Sequence, residues 1–330
     1  MKTRIELLNR VLDHFHTAIG KNDIEKRLQH RSRVTAKFYP TESSALTSVG
    51  PIGRCRRRTY YSQKGLETPP FDPQSLGRFR VGEVLEDWVH ELAKSSNIWA
   101  ANNVKLQYPI PGQTEAIISG EVDAIYNIDG ENVGGEIKTS YGYTFSSIVF
   151  HKQTIPGMPK IEHLLQVCLY LYYYRFVDTS LNIKRFVITY IDRGSMEWIQ
   201  HLIELSDDLC PIVNGIVLKD IANEKNPILS HGTVLNVDKT KTKLLEYEFN
   251  LQSVFTRFMD IYQHHQAGLL IDRDYDPLYS DSKIVDSFLA KKISKSKYSD
   301  YKDGKIDFIC DDDCRDCPYR YTCMVDDKII

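Results

Sequence analysis

Two segments of β character, IISGEVDAIYNI (117–128) and NVGGEIKTS (132–140), flank the tripeptide DGE, whose Asp129-Gly130 pair is a strong hairpin signal. A turn this tight fixes register. With Ile128 facing Glu131, opposed residues have numbers summing to 259, so Asp123 falls directly across from Glu136. Opposed side chains of an antiparallel pair have Cβ atoms about 4.5 to 5.5 Å apart and share one face. Lys138, two residues beyond Glu136, joins that face while Ile137 points away. Two carboxylates held against one another repel, so a chain that builds such a pair has a use for a cation there. A solvated strand face with a Glu-Lys neighbour pair is the plain alternative. The functional one is a divalent ion with hard oxygen ligands, Mg²⁺ or Mn²⁺.

The flanking segments predict an α/β chain. Val81, Val84, Leu85, Trp88, Val89 and Leu92 recur at i, i+3, i+4, i+7, i+8 and i+11, which predicts an amphipathic helix with that stripe buried. Glu86 lies at the edge of the stripe, four residues after Gly82, and His90 follows one turn later. IEHLLQVCLYLYYYRF (161–176) predicts a mostly buried helix with Gln166 and Tyr170 on one face, and RFVITYID (185–192) a core strand. Residues 195–275 read as largely helical, with a strand at KLLEYEFN (243–250) and an amphipathic helix at LQSVFTRFMDIYQHH (251–265). Residues 1–30 read as helical, 40–75 as a short helix with loops, and 276–309 as a mobile or partly ordered connector.

The net charge of −2 excludes a global positive field, so any nucleic-acid contact must come from a local patch. One such patch surrounds Cys55: Arg54, Arg56, Arg57 and Arg58. The N-terminal stretch lacks the apolar core of a signal peptide, and no apolar run is long enough to span a bilayer, so the expectation is a cytoplasmic protein without a membrane. In that setting seven cysteines are reduced thiols or metal ligands rather than disulfides.

A glycine-led helix, an aspartate strand, an E-x-K strand and a Q-x-x-x-Y helix follow one another within about ninety residues. In this order the chain resembles the PD-(D/E)XK nuclease superfamily, and specifically its RecB-like branch. The resemblance implies a restriction-endonuclease-like core, a central mixed sheet flanked by helices, with helical additions and a C-terminal cysteine cluster. It implies catalytic roles for Glu86, Asp123, Glu136, Lys138, Gln166 and Tyr170, and a metal held by Glu86, Asp123, Glu136 and the Ile137 carbonyl. His90 competes with Glu86 for its place.

The tail CDDDCRDCPYRYTC has the spacing C-x3-C-x2-C-x5-C, and two metal readings fit it. All four thiols could form a local tetrahedral zinc site, or three could join a distant cysteine around a [4Fe-4S] cluster. The chain is similar to iron-sulfur RecB-like nucleases, including AddB-type domains and the CRISPR-associated RecB-like exonucleases, which combine one early cysteine with a late C-x2-C-x5-C. That resemblance implies Cys55, Cys314, Cys317 and Cys323 as ligands and leaves Cys310 as a bystander or competitor. Cys168 and Cys210 read as core or incidental thiols. The arginines, interleaved with Tyr60 and Tyr61, are either solvated surface or a single-strand site with arginine on phosphate and rings under bases.

The expected function is metal-dependent DNA hydrolysis, an exonuclease acting on single strands or DNA ends, with recombination or CRISPR-adaptation-type proteins as possible partners; the alternatives are a non-catalytic nucleic-acid- or partner-binding module of the same fold and a protein with a structural zinc site. The expected organisation is a first region to residue 75 carrying Cys55, a nuclease core over 76–195, a helical and connector region over 196–309, and the cysteine motif over 310–330.

Overall fold

The computed structural model describes residues 36–47, 50–142, 145, 159–213, 216–217, 229–230, 233–234 and 250–330, together with Arg10, Asp13 and Thr17. In chain order the first elements are β1 (Lys37–Phe38), a 3-10 turn (Pro40–Glu42), β2 (Ser44–Thr47), β3 (Gly50–Gly53), α1 (Arg56–Gln63) and α2 (Pro73–Ser95). There follow β4 (Trp99–Pro109), β5 (Ile117–Ile128), β6 (Glu131–Ser140), α3 (Ile161–Phe176), β7 (Phe186–Asp192), β8 (Trp198–Leu205), β9 (Pro211–Val213) and β10 (Ile216–Val217). Helices α4 (Leu251–Ala267), α5 (Asp281–Leu289), α6 (Lys295–Lys302), α7 (Asp312–Arg315) and α8 (Arg320–Asp326) complete the chain. It divides into two compact units, Met1–Gly53 with Pro70–Tyr262, and Arg54–Pro69 with Gln263–Ile330. The segment boundaries read from sequence do not coincide with these.

The first unit is built on a mixed sheet of eight strands among the described residues, ordered β1-β5-β6-β7-β8-β9-β10 with β4 also paired to β5. Asp129 and Gly130 both take positive φ, 51° and 86°, the combination a two-residue type I′ turn requires. The hairpin keeps the register fixed by that turn from Ile128↔Glu131 to Ala124↔Gly135, and the pairing stops there. The next opposed pair is Asp123 and Glu136, so β5 and β6 part at the two acids. β4 runs along one edge of β5, which leaves β1 to pair with Ile117 and Ile118 on the edge that β6 has vacated. β6 and β7 are parallel, Gly134↔Phe186 through Ser140↔Asp192, with α3 as the crossover that parallel strands need.

Strand alternation assigns a helix to each face of the sheet. Val89 of α2 packs with Ile137 and Ile191, and Ala93 packs with Ala124 and Tyr126. α3 covers the other face, where Glu136 and Lys138 project. Buried almost all round, α3 places Leu164, Leu165, Val167, Leu169 and Leu171 in the core.

Several expectations need correction. The buried face of α2 is Val89, His90 and Ala93, whereas Val81, Val84, Trp88 and Leu92 of the expected stripe are exposed. The periodicity found an apolar stripe, but the sheet received the neighbouring face, whose small residues let the backbone approach: a Cβ on Gly82 would lie 3.8 Å from Thr139 Oγ1. Trp88 instead stacks edge-on with Trp198, ring centroids 5.4 Å apart. The stretch from 195 onward, read as helical, holds β8 and β9, and β8 buries His201, Ile203 and Leu205 at the two-residue period of a strand. The connector over 276–309 is ordered: α5 and α6 are N-capped by Ser280 and Ser294 over a cluster of Ile284, Ile293 and Ile309. The β2-β3 hairpin was not expected. The helix read over 1–30, apart from helical Arg10, Asp13 and Thr17, and the strand read at 243–249 lie outside the described residues. No helix among the described residues is long and apolar enough to cross a membrane.

Candidate active site

Where β5 and β6 separate, the Asp123 carboxylate replaces a backbone acceptor: its Oδ2 takes the Ile137 N–H at 2.7 Å. Glu136 is fully buried. Its Oε1 accepts from Lys138 Nζ and, at 2.7 Å, from Gln166 Nε2, while its Oε2 has no hydrogen-bond partner. An unpaired buried carboxylate oxygen is costly unless something else binds it.

The expected Q-x-x-x-Y face forms a relay behind Glu136. Gln166 Nε2 also lies 2.8 Å from the Tyr170 hydroxyl, which donates to the Glu121 carbonyl at 2.9 Å. Gln166 and Tyr170 therefore hold Glu136 in place and anchor α3 to β5. Gly120 beside them has no room for a side chain, since a Cβ would sit 2.9 Å from the Tyr170 ring.

Glu86 and His90 of α2 lie within electrostatic reach of this place, Glu86 of Asp123 and Lys138 and His90 of Asp123. Burial, then the charge of Asp123, pushes Glu86 up to about 7. Burial, then Asp123 again, pushes Glu136 up to about 8 against the pull of Lys138. Asp123 is also raised by burial, with Lys138, the Ile137 N–H and His90 working the other way. Lys138 is held above its ordinary value: burial opposes its charge, but Glu136 and Asp123 outweigh it. His90 is buried with its Nε2 unpartnered. Three acids thus crowd around one lysine. Among the described residues no three His, Cys, Asp or Glu are grouped so as to hold a metal ion, and Asp123 Oδ2 and Glu136 Oε1 face N–H donors.

Sequence reasoning passed over His163 and Tyr190. His163 precedes Gln166 and Tyr170 on the same face of α3, at i, i+3 and i+7, and Tyr190 is the register partner of Lys138. That spacing is the signal that could have found His163. Gly134 and Gly135 are covered by aromatic side chains: Cβ atoms there would lie 2.2 Å from the Phe186 ring and 2.5 Å from the Tyr126 ring.

The second unit joins a short early segment to the late one. Arg56 donates to Asp274 from its backbone N at 2.7 Å and from Nε at 3.1 Å. Arg57 donates to the Ile271 carbonyl at 2.6 Å, to Asp327 at 2.5 Å and to Cys323 Sγ at 3.7 Å. The Tyr61 hydroxyl donates to Asp326 at 2.6 Å. Three of the six residues read as a single-strand site are buried: Tyr60 and Tyr61 offer no ring to a base, and Arg57 is held in an ion pair. Arg54, Arg56 and Arg58 are half-buried, and Arg54 and Arg58 lower the Cys317 thiol.

Cys55 acts electrostatically on each of the three late cysteines. Burial pushes the thiols of Cys314, Cys317 and Cys323 up, and each is pushed further by Cys55. Arg57 counters this at Cys323. Cys310 also raises the Cys314 thiol, and its own thiol is raised by burial, with Arg320, Lys297 and Arg315 working the other way. Cys168 and Cys210 are buried in the first unit.

No protein-family model matches the chain, and no curated protein does. Among solved structures, one titled "Crystal structure of SSO0001" aligns at 21% identity over 56% of this chain and 75% of that one, with a TM-score of 0.36.

Proposed function

We propose that this chain is a divalent-metal-dependent deoxyribonuclease of the RecB-like type, hydrolysing phosphodiester bonds as an exonuclease on single strands or DNA ends. The observation that carries this reading is the charge imbalance around Glu136: a fully buried carboxylate with an unpartnered oxygen, beside two further acids raised by burial. A site built only for stability would pair or neutralise that charge.

Glu86, Asp123, Glu136 and the Ile137 carbonyl would hold Mg²⁺ or Mn²⁺, with His90 Nε2 as a further donor, and such an ion supplies water activation and charge neutralisation at phosphate. Lys138 places an ammonium where charge develops on the scissile phosphate. Gln166 and Tyr170 keep Glu136 from turning away.

The cysteines of the second unit fit a [4Fe-4S] cluster held by Cys55, Cys314, Cys317 and Cys323. Zinc needs four sulfurs converging on one ion at about 2.3 Å. A cubane takes one thiolate at each iron, so its ligands need only surround it. Its chemistry is to draw Cys55 and the tail into one unit. Protein prepared without oxygen should be brown, absorbing broadly near about 400 nm; a colourless, zinc-loaded preparation rules the cluster out.

The test of the enzymatic reading is digestion of end-labelled single-stranded and duplex DNA with Mg²⁺ or Mn²⁺ by wild type, Glu136→Ala and Lys138→Ala. The reading expects metal-dependent cleavage lost in both variants. Wild type that cuts nothing, or variants that cut normally, defeat it.

A further inference from the structure

His163 has a use that the relay behind Glu136 does not absorb. Its Nδ1 lies 2.8 Å from the Tyr190 hydroxyl, and that hydroxyl accepts the Lys160 backbone N–H at 2.9 Å. Nδ1 is the one acceptor for the hydroxyl's own proton among the described residues, so the hydroxyl donates to it. The imidazole is thereby fixed as the Nε2–H tautomer. Tyr190 stands beside Lys138 across the parallel β6-β7 ladder, so the two project from the face that α3 covers. His163 leans over the same spot, on the helical face that carries Gln166.

Burial, then the charges of Lys138 and Lys160, holds the His163 ring well below its ordinary titration range, so it is neutral. A neutral imidazole does not give up its remaining proton near neutral pH. His163 therefore acts by hydrogen bonding rather than by proton transfer, and its Nε2–H has no partner among the described residues.

We propose that His163 Nε2–H is a phosphate-binding donor of this site, taking a non-bridging oxygen of the DNA strand beside Lys138, with Tyr190 as the positioning residue that orients it. The inference rests on the nuclease reading and adds a substrate contact to it. A neutral donor suits the place, because a second cation beside Lys138 would compete with it for Glu136.

The test compares wild type, His163→Gln, His163→Asn, His163→Ala and Tyr190→Phe. The readouts are KM and kcat on end-labelled single-stranded DNA with Mn²⁺, and Kd for the same strand with Ca²⁺ replacing Mn²⁺. A lost hydrogen bond to a charged oxygen predicts that His163→Ala raises KM and Kd about tenfold or more. The glutamine amide reaches the height of Nε2 and should restore most of the affinity; the asparagine amide reaches only that of Nδ1 and should behave as alanine does. Tyr190→Phe should raise KM a few-fold at unchanged ring identity. His163→Ala with wild-type KM and Kd overturns the proposal, as does equal behaviour of the glutamine and asparagine variants, which also decides the matter if the alanine variant does not fold. Should wild type cleave no DNA, the nuclease reading fails; active wild type with an unaffected His163→Ala removes the His163 assignment alone.

Discussion

Two groups of acids, one in each unit, respond to their surroundings in opposite directions. In the first unit Glu86, Asp123 and Glu136 are all raised, burial outweighing the help of Lys138. In the second, Asp276 and Asp327 are partly buried as well, yet both are lowered, because Lys283 and Arg273 pair with one and Arg57 and Arg273 with the other. The second group is electrically finished and holds chain to chain. The first is short of positive charge, which the proposed cation would supply.

The largest effect that should separate the two groups is catalytic. Glu136→Ala and Lys138→Ala should each lower DNA hydrolysis by about 10³-fold or more in a gel assay, the scale of removing a buried electrostatic group from a reacting centre. Next comes a loss of stability in the other unit: Arg57→Met removes the buried donor to Asp327 and to the Ile271 carbonyl, leaving Arg273 as the ion-pair partner of Asp327, and should cost about 1–3 kcal/mol in chemical denaturation. If Arg57→Met is silent in stability, the second group is not the finished structure described. Gly134→Ala forces a methyl into the Phe186 ring and should cost about 1–3 kcal/mol while leaving the acids in place.

The smallest expected effect is a pH trend. Folded pKa values of about 8 for Glu136 and about 7 for Glu86 lie above the ordinary 4.5. Their stabilisation is present below about pH 4.5 and is lost as pH rises through 7 and 8. Asp276 and Asp327 behave inversely: their stabilisation is present above the ordinary 3.8 and is lost as pH falls through their lowered values. Metal-free protein should therefore melt at lower temperature as pH rises from 5 to 8, and Glu136→Gln should flatten that slope. A slope unchanged in Glu136→Gln places the titration elsewhere.

The hairpin was legible because Asp129 and Gly130 admit one turn, and one turn fixes every later pairing up to Asp123 and Glu136. Its break at those acids was not, since arithmetic on a turn assumes that the ladder continues. That Gln166 and Tyr170 share a face of α3 was legible from helical spacing, but their reach to Glu136 and the Glu121 carbonyl was not, and His163 stands on the same spacing one turn earlier. The α2 face was misread because large apolar residues announce a stripe without naming what covers it. Arg57, Tyr60 and Tyr61 looked like a nucleic-acid surface because sequence shows charge and aromaticity but not Asp327, some 270 positions away, which claims the arginine.

The central claim is that the three raised acids form one divalent-cation site, and the most direct measurement is Mn²⁺ binding to metal-free protein, followed by the loss of free-ion electron paramagnetic resonance signal at neutral pH. Wild type should bind Mn²⁺ at this site, and Glu136→Gln and Asp123→Asn should each weaken that binding at least about tenfold, a loss of about 1.4 kcal/mol. Wild type that leaves the ion free, or variants that bind it as wild type does, would contradict the account.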